Sequence, residues 1–273
     1  MRLGVLGPEG SFTFMASKKA FSAAELVAYP TIARTVAAFN ACTTDFALVP
    51  IENSLEGTVT MTVDALYHTT EKQAVAEFVF PIKQCLLAAA TDRKLTTIVS
   101  HPQALAQVAE FLSAHFPDVS LRAMDSTAQA AAYVREHPDD AVAAIAPKEA
   151  AATYGLQILA EGVQDSDENF TRFWLLGNET PVLSALTADS QKVTLALTPP
   201  QNVSGVLHQA LSVFAWRKLQ LTKIESRPLK TRLGEYFFVV DLEQDEKISY
   251  AIQELESLGF SVKQLGAYSV YKL

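Results

Sequence analysis

Basic residues are scarce in this 273-residue chain: 22 lysines and arginines stand against 30 aspartates and glutamates, for a formal net charge of −8 at pH 7. That balance excludes nucleic acid and anionic membrane as main partners, since both select a basic face. A small anionic ligand is still open, because a few local donors outweigh the global field. Cysteine is rarer, with Cys42 and Cys85 alone. Neither belongs to a CxxC pair or a histidine cluster, which argues against a disulfide framework or a structural zinc site. Each lies in an apolar run, where a buried, reduced thiol is expected. Nowhere do about 18 apolar residues run together, so no membrane-spanning helix is expected. The N-terminal apolar segment meets Pro8 and Glu9 too early for a signal peptide. The expectation is a soluble, cytoplasmic protein.

Several motifs are missing as well. There is no Walker A loop, no GxGxxG after the first apolar run, no HExxH and no GxSxG. The histidines, His68, His101, His115, His137 and His208, show no helical pairing with one another, against a histidine-rich metal site. No metal and no nucleotide cofactor is expected.

What is present is a folded, core-forming composition, 49% hydrophobic and 19% charged. Up to about residue 177, short apolar runs (3–6, 46–51, 84–90, 97–99, 141–146 and 173–176) alternate with alanine-rich stretches at helical spacing. Examples of that spacing are Ala104, Val108, Phe111 and Leu112, or Ala128, Ala131, Ala132 and Val134. This is an α/β pattern. Pro81 makes 78–82 an extended crossing segment, and 156–164 is the other candidate crossing. The reading is two lobes, one of about 1–78 with 157–178 and one of about 79–156. Residues 179–190 read as a linker. From 191 to 273 the order becomes βαββαβ, the ferredoxin-like split unit.

Ligands of open α/β sheets bind beyond the carboxyl ends of strands. Gly7-Pro8-Glu9-Gly10-Ser11-Phe12-Thr13 is a glycine turn opening a helix with Ser11 as cap, either an anion site or an ordinary turn. Glu52, Asn53 and Ser54 follow a buried run, where polar side chains face a cleft or form a surface loop. In Ser100-His101-Pro102-Gln103, His101 is a candidate acid or base, or a cap. Asp125-Ser126-Thr127 reads first as a helix cap. Around Ala144 the small side chains would let a ligand approach the backbone, although Pro147 explains part of the pattern. In Asn169-Phe170-Thr171-Arg172-Phe173 the arginine is either a carboxylate fork or a surface pair.

In joint order these segments resemble the prephenate dehydratase family with a C-terminal ACT domain, over nearly the whole chain. Gly205-Val206-Leu207-His208-Gln209-Ala210-Leu211 and Ile224-Glu225-Ser226-Arg227-Pro228 resemble its two ACT signatures. The likeness starts at the first residues, so no fused chorismate mutase is expected. It implies a two-lobed catalytic domain like a periplasmic binding protein, plus the ACT domain, with no cofactor. The implied activity is conversion of prephenate to phenylpyruvate, with arogenate dehydration or amino-acid sensing as rivals. Thr171 matches the family's essential threonine and is placed beside the departing hydroxyl, with His101 as the other proton donor. Arg172 is read as the main carboxylate donor. Gly10, Ser11, Phe12, Asn53, Ser54, Gln103, Ser126, Thr127, Ala144, Asn169 and Phe173 complete the expected substrate site. Phenylalanine is the implied effector, at Gly205, Val206, Leu207, Glu225, Ser226, Arg227 and Pro228 between domains of a homo-oligomer, dimer or tetramer. Val206 replaces the usual alanine and would crowd an aromatic ligand.

Overall fold

The structure, a computed structural model, describes residues 1–90, 94–201, 203–231 and 234–273. Two compact units divide the chain: Met1–Val59 with Val79–Phe173 and Leu273, and Thr60–Phe78 with Trp174–Lys272.

The first unit opens with β1 (Arg2–Leu6), α1 (Phe12–Ala20), β2 (Glu25–Tyr29), α2 (Ile32–Asn40), β3 (Phe46–Asn53) and β4 (Gly57–Thr58). β1 lies parallel to β2 and to β3. The run Phe46-Ala47-Leu48-Val49 is buried throughout, as a strand covered on both faces requires. Next come α3 (Thr60–His68) and β5 (Gln73–Pro81), with Pro81 as the strand's last residue. The second lobe then follows: β6 (Cys85–Ala88), β7 (Thr97–Ser100), α4 (Pro102–Ala106), α5 (Ala109–His115), β8 (Ser120–Ala123), α6 (Thr127–Glu136), β9 (Val142–Ala146), α7 (Lys148–Tyr154) and β10 (Gln157–Glu161). Its sheet order is β10-β6-β9-β7-β8. β7 runs parallel to β8 and β9, while β6 is antiparallel to β9 and β10. The chain returns through β11 (Phe170–Gly177), which lies beside β3. The two lobes expected from the sequence are present.

Some local expectations fail. Residues 157–161 were assigned to the first lobe, yet β10 pairs with β6 in the second, so the return crossing comes later. The helical run from Ala104 to Leu112 is broken between α4 and α5. There Asp165 accepts hydrogen bonds from the Glu110 and Phe111 amides and caps a new helix start. Cys85 is buried, but Cys42 is exposed in the turn after α2, with a left-handed φ of 55°.

The second unit holds β12 (Ala188–Thr198), α8 (Val206–Trp216), β13 (Leu221–Pro228), β14 (Tyr236–Glu243), α9 (Ile248–Ser257) and β15 (Ser261–Lys272). This is the expected βαββαβ order, with sheet order β13-β14-β12-β15 followed by β5. β12 begins inside the stretch read as a linker. Leu195, Leu197, Phe238, Val240 and Leu242 pack against Ala210, Phe214, Ala251 and Leu255 of the two helices. Strand alternation turns Phe237 to the other face, where Tyr67 of α3 stacks on it with ring centroids 3.8 Å apart. The Tyr67 hydroxyl pairs with Thr198 Oγ1 at 2.6 Å, and Lys263 Nζ donates to the Tyr67 and Thr70 carbonyls. These bonds hold α3 in the second unit.

Candidate functional site

A cavity of about 380 Å³ opens between the lobes of the first unit. Strand ends and helix starts build it. Ser11 caps α1, its hydroxyl accepting from the Phe14 amide. It also donates to the Leu6 carbonyl at 3.1 Å, which ties the turn to the end of β1. Gly10 makes that turn possible, because its φ of +83° belongs to the left-handed region. Ser126 caps α6 in the same way, accepting from the Gln129 amide at 3.0 Å. His101 caps α4, its Nδ1 accepting from the Gln103 amide at 3.3 Å. That bond places the neutral ring's proton on Nε2. Three helix starts therefore line one cavity. At α1 and α6 the first-turn amides not taken by the caps carry the positive end of the helix dipole, which suits an anion. The five-residue α4 instead opens on Pro102, which has no amide N–H, and its Gln103 amide is taken by His101.

Asn53 sits at the end of β3 and is 8% exposed. Its Nδ2 donates to Thr171 Oγ1 at 3.0 Å, to Asn169 Oδ1 at 2.9 Å and to the Phe170 carbonyl at 3.1 Å. Its Oδ1 accepts from the Leu55 and Glu56 amides. The amide is thus occupied by the protein, and its role is to orient Thr171. Because Thr171 Oγ1 already accepts a hydrogen bond from Asn53, its own proton is left to be donated into the cavity. Ser54 joins the same strand ends, donating to the Glu168 carbonyl at 2.7 Å and accepting from the Phe170 amide at 2.9 Å.

The structure brings Ser11, Phe12, Asn53, His101, Gln103, Ser126, Thr127, Thr171 and Phe173 into one cavity wall. Others fall elsewhere. Arg172, read as the main carboxylate donor, does not line the cavity. Thr171 and Phe173 face inward, and the period-two alternation of β11 sends Arg172 to the opposite side. There it forms an ion pair with Glu52, the neighbour of Asn53 on β3. Among the described residues, no lysine or arginine lines this cavity. Ser54 lies outside it with both hydroxyl bonds made. Ala144 is fully buried in β9 and packs in the second lobe's core. Asn169 is 1% exposed and borders a smaller neighbouring cavity of about 270 Å³. Gly10 supports the wall from behind, in the turn where Tyr154 donates to the Glu9 carbonyl at 3.3 Å. Burial and the nearby Glu9 push the Tyr154 phenol up, so it stays a donor. Cys85 is also held protonated, chiefly by burial.

Sequence reasoning missed Gln84 and Gln107, which also line the cavity. The available signal was a polar residue opening the otherwise apolar run 84–90. In the second unit, a groove of about 660 Å³ is lined by Gly205 and Val206 together with His208, Ser212 and Trp216. Leu207 packs toward the helix–sheet core instead. Glu225 and Arg227 occupy one face of β13, and Ser226 and Pro228 are exposed on the other. Arg227 binds both carboxylate oxygens of Asp64 at 3.0 Å. Among the described residues no group of three His, Cys, Asp or Glu side chains could hold a metal ion. No described helix is long and apolar enough to cross a membrane.

Fold and cavity define a two-lobed cleft protein whose cavity wall carries helix starts, the carboxylates of Glu56 and Asp125, and the Thr171 hydroxyl oriented by Asn53. The family model for prephenate dehydratase matches residues 3–181. Prephenate dehydratase of Lactococcus lactis subsp. cremoris is 50% identical over 100% of this chain and 99% of its own length. That of Bacillus subtilis is 42% identical over the full length of both. Among solved structures, prephenate dehydratase from Arthrobacter aurescens in complex with L-Phe superposes with a TM-score of 0.86 at 31% identity, covering 98% of this chain and 90% of that one. The chain belongs to the prephenate dehydratase family.

Proposed function

We propose that this chain converts prephenate to phenylpyruvate, CO₂ and water, as its relatives' name describes, within phenylalanine synthesis in the cytoplasm. The observation that carries the reading is the Asn53–Thr171 hydrogen bond at the wall of a cavity bordered by three helix starts. Prephenate bears two carboxylates, and the helix starts with Ser126, Thr127 and Gln103 supply their donors. Thr171 donates to the ring hydroxyl. The bond from the ring to its carboxylate breaks, its electron pair enters the ring, and the C–O bond breaks with its pair on oxygen. One proton completes the water, so a dianion plus a proton gives a monoanion, CO₂ and water. A threonine is too weak an acid to give that proton outright. His101 lines the same wall and delivers it only when protonated on both ring nitrogens, a form that gives up the bond its Nδ1 accepts from the Gln103 amide, and Thr171 fixes the direction of departure. Phe12 and Phe173 help keep the breaking bonds out of water.

The second unit is read as an ACT module that binds phenylalanine beside the Gly205 turn, as supported by the L-Phe complex of the Arthrobacter aurescens relative. Val206 is 6% exposed and places most of its side chain in the core, which leaves room for an aromatic ligand beside it. β13 ends its sheet, and that free edge suits pairing with a second copy in a homo-oligomer.

A spectrophotometric assay for phenylpyruvate tests the reading. Wild-type protein should turn over prephenate and slow down with phenylalanine, and Thr171→Val should lose about 10²-fold or more in kcat. His101→Gln should likewise lower kcat, and an unchanged kcat would remove His101 as the proton donor. Turnover of arogenate in place of prephenate would move the substrate assignment, and turnover of neither would end the reading.

A further inference from the structure

Gln84 immediately precedes β6 and lines the cavity, pinned by the return segment at Val163 and Gln164. Its backbone amide donates to Gln164 Oε1 at 3.0 Å, and its carbonyl accepts from the Val163 amide at 3.0 Å. The side chain is 1% exposed and lines the cavity. Nε2 donates to Gln107 Oε1 at 3.4 Å. Oε1 has no hydrogen-bond partner among the described residues. A buried acceptor left unmatched is costly and rare in a native fold, so its partner arrives with whatever fills the space.

We propose that Gln84 Oε1 accepts the hydrogen of the substrate's ring hydroxyl and so selects substrate over product. This rests on the dehydratase reading and adds a residue to it. The chemistry narrows the partner. Both carboxylates and the keto oxygen of prephenate can only accept, and the ring hydroxyl is its single donor. Thr171 gives its proton to that hydroxyl, and Gln84 takes the hydroxyl's own. Opposite hydrogen-bond roles on two sides fix one rotamer of the C–OH group. Once water has left, phenylpyruvate offers no donor, Oε1 is orphaned again, and the product is released more readily.

The test is Gln84→Met, which keeps volume and removes the acceptor. KM for prephenate should rise about 10- to 100-fold with kcat changed only a few-fold, the sign of an interaction made equally in ground and transition states. Phenylpyruvate affinity by calorimetry should not move, and the thermal midpoint should hold or rise, because an unmatched buried acceptor is gone. Equal weakening of substrate and product, or a lowered midpoint with KM unchanged, would mean a merely structural glutamine and overturn the proposal. If Gln84→Met does not fold, wild-type titrations decide alone. 4-Hydroxyphenylpyruvate, which keeps a ring hydroxyl, should bind several-fold tighter than phenylpyruvate, and equal affinities would refute the assignment. Absence of phenylpyruvate formation by the wild type would count against the dehydratase reading, whereas this ligand comparison judges Gln84 separately.

Discussion

At the scale of single residues, neighbours on one strand have opposite duties. Thr171 turns into the cavity with its acceptor side satisfied by Asn53, whereas Arg172 turns away and pairs with Glu52. Both members of that pair are largely buried, with side chains 16% and 24% exposed. Removing one charge strands the other. Arg172→Gln is therefore expected to lower the thermal midpoint while leaving KM for prephenate within about twofold of wild type; a KM raised by two orders of magnitude at unchanged stability would return Arg172 to the substrate. That the 169–173 segment carries polar side chains at a cleft was legible in the sequence. Which of two adjacent polar residues faces the cleft was not. A one-residue change of phase exchanges the faces of a strand, and only the partner strand, here β3 with Asn53 and Glu52, sets that phase.

Among the elements, α3 follows the first-lobe strands in sequence yet packs in the second unit, and its Asp64 is paired with Arg227 and Lys230. Burial would raise the Asp64 carboxyl, but Lys230 and Arg227 outweigh it and hold the group below its ordinary value of 3.8. The unfolded chain then takes up the proton first. The pair's contribution is complete above pH 3.8, and it is lost as the pH falls below that value. Asp64→Asn should cost about 1.5–3 kcal/mol near neutrality. Urea melts of the two proteins should converge in acid, and a difference that persisted there would contradict the assignment. Sequence patterning located strands in proportion to their burial. β3, β9 and β11 carry apolar runs and were legible. β2 and β10 are edge strands of mixed exposure, and the edge strand β8 is exposed along its whole length. Their pairing is set by a neighbour rather than by their own side chains, so nothing in their sequence announces it.

For the whole molecule, the homo-oligomer proposed above would pair through the edge strand β13. Ile224 is 44% exposed there, beside the exposed Ser226. A lysine in the middle of an edge strand opposes pairing with another strand. Ile224→Lys should reduce the mass seen by light scattering to that of a smaller species and weaken the response to phenylalanine, with prephenate turnover kept. An unchanged mass would place the contact between copies elsewhere.

The absence of lysine and arginine from the described cavity wall has a consequence for the direction of the reaction. Partial charges at helix ends attract a dianion without neutralising it, so the bound substrate's two carboxylates repel each other in a dry space. Departure of one as an uncharged gas removes that repulsion. Electrostatic relief and aromaticity therefore push the same way, and a site with less fixed positive charge makes the better eliminator.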